Sequence, residues 1–400
     1  MFALIAAALA CAGLIQAAAG YFAVRRFRLA ARPAAAMPAA RPPITVLKPL
    51  HGDEPLLEAA LATLCAQTYG AYQIVFGVQS PADTALPVLE RLRRRFPACD
   101  ITVVIDPAIH GSNRKVGNLI NMFPMARHDV LVIADSDVHC TPDYLELIAD
   151  TLAMPGTGMA TMLYGGIAAS CSLAGRLGAS WINHGVVPGV LMARQLGRQD
   201  CLGATMALHR STLSAIGGLP ALINHLADDH VLGKLIQGRG LAVRIADGLT
   251  ATTVPETGLA ALFRHELRWA RTILAVAPFA YTLSVIQFVL FWALLAVVLS
   301  GGAAWAVALF ALAWAVRAGA AAGIDHRLGM VQSGLATAAP VWLLPLRDLF
   351  SMAIMLASYA GDQVEWRGTT MRTGRTPSLE TTAPAPSPGQ ASATQGSLAS

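Results

Sequence analysis

Asp129-Val130-Leu131-Val132-Ile133-Ala134-Asp135-Ser136-Asp137 is the stretch on which the reading of the fold turns. It begins as a short β-branched, apolar run, the pattern of a strand buried on both faces of a sheet, and two carboxylates emerge where that strand stops. In an open α/β sheet ligands bind at the carboxyl ends of the strands, and two carboxylates one residue apart suit a hard, oxygen-seeking cation that bridges a diphosphate. The same residues also fit an ordinary strand-to-helix loop, with Asp137 or Thr141 capping a helix that begins near Pro142-Asp143-Tyr144. The rest of the chain has to decide between the two.

On either side of this stretch, from Ile44 to about Val254, short apolar runs alternate with helical patterns, as βαβ units do. Strands are expected at 44–48, 72–78, 101–105 and 129–134, with helices near 54–66, 84–95, 115–126 and 142–153. That is an α/β, doubly wound and mostly parallel sheet. A second portion comes next, with runs at 158–163, 203–209 and 241–245 separated by helical stretches near 172–184 and 229–237.

The 400 residues are 55% hydrophobic and only 13% charged, too apolar for a wholly soluble protein, so part of the chain belongs in lipid. Residues 2–24 are long enough to cross a bilayer and are succeeded at once by Arg25, Arg26 and Arg28. No basic residue precedes the apolar run, which reads as an anchor rather than a signal peptide, and the positive-inside rule then puts the next part of the chain in the cytoplasm. Further on, 279–300 and 302–321 form a transmembrane hairpin around Ser300-Gly301-Gly302. A third apolar span at about 337–360 contains Arg347 and Asp348, spaced to pair or to snorkel, so that span is crossing, re-entrant or interfacial. Arg367, Arg372 and Arg375 beyond it would lie outside if every span crossed, against the same rule.

The expected organisation is an anchor at 1–24, a linker at 25–43, a catalytic domain at 44–275, transmembrane or interfacial helices at 276–360 and a disordered tail at 361–400. A net charge of +5, with no basic block interleaved with aromatics, argues against a nucleic-acid partner. Six cysteines without CxxC or Cys/His spacing argue against a zinc site or a disulfide framework.

Four further constellations carry chemistry. Asp83 lies just past the strand ending Val78-Gln79, at the same edge as Asp135, though a helix cap fits it as well. Gly111 to Asn118 is a polar loop running into a helix, where backbone N–H groups and the Lys115 ammonium suit phosphate oxygens; it is not a Walker A loop. Asp228-Asp229 opens a helix, where acids favour the dipole, but adjacent carboxylates repel, and one of them in a partly apolar pocket acquires the raised pKa of a general base. His265-Glu266-Leu267-Arg268-Trp269 lies on an amphipathic helix before the hairpin. There Arg268 and Trp269 fit interfacial anchoring, or else a diphosphate clamp and the wall of an acceptor pocket.

Taken together, Asp83, Asp135-Ser136-Asp137, Asp229 and His265-x-x-Arg268-Trp269 resemble the D, D, D, (Q/R)xxRW signature of family 2-type processive and lipid glycosyltransferases. The resemblance is closer to the ceramide glucosyltransferase branch, through Leu47-Lys48-Pro49-Leu50-His51-Gly52, Asn113-Arg114-Lys115-Val116-Gly117-Asn118-Leu119, His184 and Arg268-Trp269. It is closest to the bacterial hopanoid-biosynthesis glycosyltransferases, through Ser112 to Val116, Val132 to Asp137, Trp181 to Gly185, Gly203 to Leu208 and His265 to Arg271. It covers 44–275 densely and the membrane part loosely, and departs at His265, where the family usually has Gln or Arg.

The resemblance implies a GT-A fold, Rossmann-like, and an inverting transfer from a UDP-sugar, dependent on Mg²⁺ or Mn²⁺, to a lipid hydroxyl in the bacterial inner membrane. It implies Asp83 at the nucleoside, Asp135 and Asp137 at the metal and donor, Lys115 and Arg268 at the diphosphate, and Asp229 as the base. His184, His265 and Trp269 would flank the acceptor. A hopanoid polyol taking N-acetylglucosamine from UDP-N-acetylglucosamine is the first expectation and ceramide the alternative. A processive polysaccharide synthase would want QxxRW and more spans; a non-catalytic nucleotide sensor would not need a base at Asp229.

Overall fold

The computed structural model describes residues 1–27, 41–329, 340–361, 363–366 and 369–372. Most of the expected linker, 28–40, and the expected tail from 373 onward lie outside the described residues, as do Arg367 and Arg375. Strands β1 (Ile44–Pro49), β2 (Tyr72–Val78), β3 (Asp100–Ile105) and β4 (Val130–Ala134) alternate with helices α2 (Leu57–Cys65), α3 (Leu86–Arg95) and α4 (Arg114–Met122). All five residues of β4 are buried, as its unbroken apolar run requires of a strand covered on both faces. Helix α4 starts where the Asn113 side chain accepts from Val116 N at 3.0 Å, a side-chain cap.

The chain continues through β5 (Val138–His139), α5 (Tyr144–Leu152), β6 (Thr157–Ala168), α6 (Leu173–Trp181), a π turn at Ile182–Val186, α7 (Val187–Gln195), β7 (Thr205–His209), α8 (Arg210–Ala215), α9 (Asp228–Gln237) and β8 (Ala242–Val254). The eight strands form one sheet in the order β3-β2-β1-β4-β7-β6-β8-β5. β3, β2, β1 and β4 run parallel, and β7 reverses direction against β4, in a register from Val130↔His209 to Ala134↔Thr205. β6 and β8 are parallel to each other and far longer than the runs at 158–163 and 241–245 suggest. Their outer halves are rich in Gly, Ala and Thr, which carry little apolar signal but pair edge to edge in a sheet.

Helix α1 (Phe2–Arg26) and the last helices form a membrane bundle. α11 (Pro278–Leu283), continued by a 3₁₀ turn, and α12 (Val289–Leu299) make one apolar pair bent by 63°, where the sequence suggests a straight span. α13 (Ala304–Leu328) comes next, then α14 (Leu344–Ser358). Among the described residues three helices are long and apolar enough to cross a membrane, or up to four if the bent pair counts as one span. Gln363–Trp366 and Thr369–Arg372 pair as an antiparallel ribbon, inside the stretch that by sequence starts a disordered tail.

α1 packs along α7, α12 and α13. Its glycines allow close approach: a Cβ on Gly13 would strike the carbonyl of Ile286, and one on Gly20 would meet Pro188 Cβ at 2.9 Å. Ala23 and Val24 at its end join Leu163 and Ile167 of β6, Val187 and Leu191 of α7, and Ile324 and Leu328 of α13 in one apolar cluster, so the bundle rests directly on the sheet.

Candidate active site

The Asp135-Ser136-Asp137 turn leaves β4 at its carboxyl end and is fixed from three sides. The Asp135 amide donates to Ala204 O at 3.2 Å, at the start of β7, and the Val138 amide donates back to Asp135 O at 3.3 Å. The Ser136 hydroxyl donates to Glu54 at 2.5 Å, and Thr252 on β8 donates to Asp137 Oδ2 at 2.5 Å. Burial, and after it the charge of Asp135, pushes the Asp137 carboxyl up to about 6.

Lys115, in the first turn of α4, places its ammonium 2.6 Å from Asp135 Oδ1 and 3.7 Å from Asp228 Oδ2. Burial pulls this amine down, but Asp135 and then Asp228 outweigh it and hold it above its ordinary value. Asp228-Asp229 opens α9 opposite. Asp228 is 8% exposed; its Oδ1 lies 3.5 Å from Asn113 Nδ2, and its Oδ2 has no hydrogen bond among the described residues. Asp229 accepts from the His230 amide at 2.7 Å, and its Oδ2 lies where a Cβ on Gly203 would come within 2.8 Å. Burial, with the neighbouring Asp228 charge, pushes the Asp229 carboxyl up to about 6. One lysine is therefore held between carboxylates from β4 and α9, which the 203–205 segment links by touching both.

Asp83 sits past the carboxyl end of β2, separated from β4 by β1, its side chain 5% exposed. Its Oδ1 accepts from the amides of Gly52 and Ala85, both at 2.9 Å, so it staples the loop after β1 to the loop after β2. α10 (Leu259–Val276) carries the last motif. His265 hydrogen-bonds Glu256 and stands edge-on to Trp269, ring centroids 4.7 Å apart. Burial works to raise Glu256, yet the His265 hydrogen bond and charge, with Arg268 adding, hold it below its usual value. The histidine at the departing motif position is thus tied down by an acid of its own.

His184 is placed elsewhere. It is buried in the π turn, Nδ1 to Ser180 at 3.1 Å and Nε2 to Asp325 of α13 at 2.8 Å, with neither of these hydrogen bonds going to the carboxylate cluster. It borders a cavity of about 40 Å³, room for water molecules, shared with Gln16, Arg317 and Asp348. Nor do Arg347 and Asp348 pair with each other or reach for a lipid surface. Both are 2% exposed, because Glu266 and Arg317 supply opposite charges inside the protein.

Two residues at the site receive no role from the sequence. Tyr164 on β6 has a phenol that burial, then the charges of Asp229, Asp135 and Asp137, drives above its ordinary value. Lys48, fully buried in β1, donates to Val138 O at 3.3 Å and is pulled down by burial despite nearby Cys140, Asp137 and Asp135. A lysine inside a mostly apolar strand is a legible signal for the second; a tyrosine in a strand gives none.

The model of the family described as glycosyl transferase family 21 matches residues 4–379. Ceramide glucosyltransferase 1 of Caenorhabditis elegans is 24% identical over 243 residues, 59% of this chain and 51% of its own length. Ceramide glucosyltransferase of Komagataella phaffii is 30% identical over 113 residues, 27% of this chain and 22% of its own. The chain spans about half the length, or less, of these curated relatives. Mannosyltransferase PcManGT from Pyrobaculum calidifontis, solved in complex with GDP-Man and Mn2+, is similar at a TM-score of 0.51 and 18% identity, covering 90% of this chain and 99% of that one. At that identity the likeness is one of fold, and the fold is GT-A.

Proposed function

We propose that this chain, which belongs to glycosyl transferase family 21, moves a sugar from a UDP-sugar to a hydroxyl of a membrane lipid, with inversion. The observation that carries this is the cluster of Asp135, Asp137, Asp228 and Asp229 with Lys115 among them at the carboxyl ends of the strands, in a sheet on which membrane helices rest directly.

The residues fit a hard divalent cation, Mg²⁺ or Mn²⁺. Asp137 is pushed up to about 6 in part by the like charge of Asp135, a repulsion that a cation between them relieves. Among the described residues no third His, Cys, Asp or Glu completes a cluster, so diphosphate and water oxygens would fill the remaining positions. When bound, such an ion neutralises the charge that builds up on the departing UDP. Lys115 and Arg268 add positive charge at the diphosphate, and Asp83 holds the loops that border the nucleoside. Asp229 accepts the proton of the attacking lipid hydroxyl; a carboxyl near 6 is mostly ionised at neutral pH yet basic enough to help. Trp269, with His265 against it, walls the acceptor side, and His184 lies deeper, toward the bundle.

A ceramide-like acceptor has the support of the curated relatives, both named ceramide glucosyltransferases. A hopanoid polyol with N-acetylglucosamine has the support of motif resemblance, notably Trp181 to Gly185 and Gly203 to Leu208. The arginines closing α1 support a catalytic domain on the cytoplasmic face of a bacterial inner membrane. The deciding assay gives full-length protein in lipid UDP-glucose or UDP-N-acetylglucosamine, with ceramide or bacteriohopanepolyol, and reads glycolipid by mass spectrometry. Failure to release UDP with any pairing, in the presence of Mn²⁺, would sink the transferase reading.

A further inference from the structure

Leu262, Glu266 and Ala270 are the buried residues of α10, four apart, so one stripe of that helix faces the protein. The carboxylate in that stripe is gripped by Arg347 of α14 through two contacts, at 2.8 and 2.6 Å. Further guanidinium N–H contacts go to the Ser351 hydroxyl at 3.0 and 2.8 Å and to the Leu177 carbonyl of α6 at 3.2 Å. Its face lies over the Trp181 ring at 5.6 Å and the Phe350 ring at 5.0 Å. The next residue, Asp348, accepts from the Leu290 amide at the start of α12 at 2.9 Å and pairs with Arg317 of α13 at 3.3 Å. Two consecutive residues thus tie α14 to α6, α10, α12 and α13.

Burying an ion pair costs desolvation that mutual attraction offsets only in good geometry, so such a pair adds little net stability over apolar packing; what it supplies is registry. Registry matters most on α10, because Arg268 and Trp269 come within one turn of Glu266 and swing with any roll of the helix. We propose that Arg347 is a positioning residue for the sugar transfer, its forked contact with Glu266 fixing the roll of α10 and so aiming Arg268 at the donor diphosphate and Trp269 at the acceptor. This rests on the roles proposed for Arg268 and Trp269 in the transfer. A lysine at 347 keeps the charge but lacks the planar fork that matches the two carboxylate oxygens while also reaching Ser351 and Leu177.

The test compares full-length wild type, Arg347→Lys and Arg347→Gln in lipid nanodiscs, titrating UDP-glucose and, separately, UDP-N-acetylglucosamine at fixed Mn²⁺ and reading UDP release. Misaiming by about an ångström costs up to about 100-fold, so the donor KM should rise by about 10-fold or more in Arg347→Lys, further in Arg347→Gln, with kcat falling less. A merely structural role would lower the amount of active protein and leave the donor KM where it was. An unchanged donor KM, whatever happens to kcat, overturns the proposal. If Arg347→Gln does not fold, Glu266→Gln, which keeps the shape of the pair, carries the same comparison. Wild-type protein that releases no UDP overturns the transferase reading itself; wild-type turnover with an unmoved KM in the variants overturns only this positioning role.

Discussion

Asp229 is the residue at which an enzyme and a binding protein part company. Asp229→Asn keeps size and a hydrogen-bond acceptor for the His230 amide but cannot take a proton, so donor binding should survive while turnover falls about 10²- to 10⁴-fold. Near wild-type turnover at saturating donor and lipid would return Asp229 to a helix-start role. Because its carboxyl is pushed up to about 6, kcat/KM should fall as pH drops through that value in wild type, and this limb should be missing from whatever activity Asp229→Asn retains. The sign for stability is opposite. A folded pKa above the usual carboxylate value favours the protonated form, so this group's contribution is fully present at low pH and is lost as pH rises toward about 6. Thermal unfolding should therefore show Asp229→Asn gaining on wild type between about pH 4 and 7. Asp135→Ala and Asp137→Ala should each abolish the Mn²⁺-dependent part of UDP affinity by calorimetry; wild-type affinity in either would remove the metal from this turn.

At the scale of elements, what is legible in the sequence tracks how strongly a residue type reports its surroundings. β1, β2 and β4 are apolar, β-branched runs, and each lies within a residue or two of where its pattern puts it. The outer parts of β6 and β8 escape such a reading because Gly, Ala and Thr report neither burial nor period. The bend between α11 and α12 has no proline at its break, only the Phe288 backbone turning, so composition alone reads one straight span. Carboxylates at strand ends are legible, and so is Lys115, since a lysine where a polar, Gly-containing loop runs into a helix is conspicuous. The fate of Arg347, Asp348 and His184 is not: their partners, Glu266, Arg317 and Asp325, stand far off in sequence and only packing joins them. Asp83 shows how one residue serves two elements. Asp83→Ala frees the Gly52 and Ala85 amides and should cost about 1–3 kcal/mol in thermal or denaturant unfolding. Asp83→Asn retains an acceptor for both amides, so a loss of UDP affinity there with stability kept would assign the charge to the nucleoside; no loss would leave Asp83 a staple.

For the whole molecule, the arginines closing α1 predict the side of the membrane on which the catalytic domain sits. A reporter that works only in the cytoplasm, fused near residue 110, should be active, and one that works only in the periplasm should be silent; the reverse pattern would invert the topology. The glycine stripe of α1 bears on how the chain comes to be assembled. Gly13 and Gly20 are shaped for Ile286 and Pro188, and the surfaces of α12 and α13 that cover this helix are synthesised only after the entire catalytic domain has left the ribosome. Until those helices are made, the Gly20 end of α1 has its partner in Pro188 of α7, whereas the Gly13 end, which fits against Ile286, has its partner still to come. The junction between α1 and α12–α13 is therefore expected to form late in biogenesis, which exposes it to premature termination, as it does the contacts of α14.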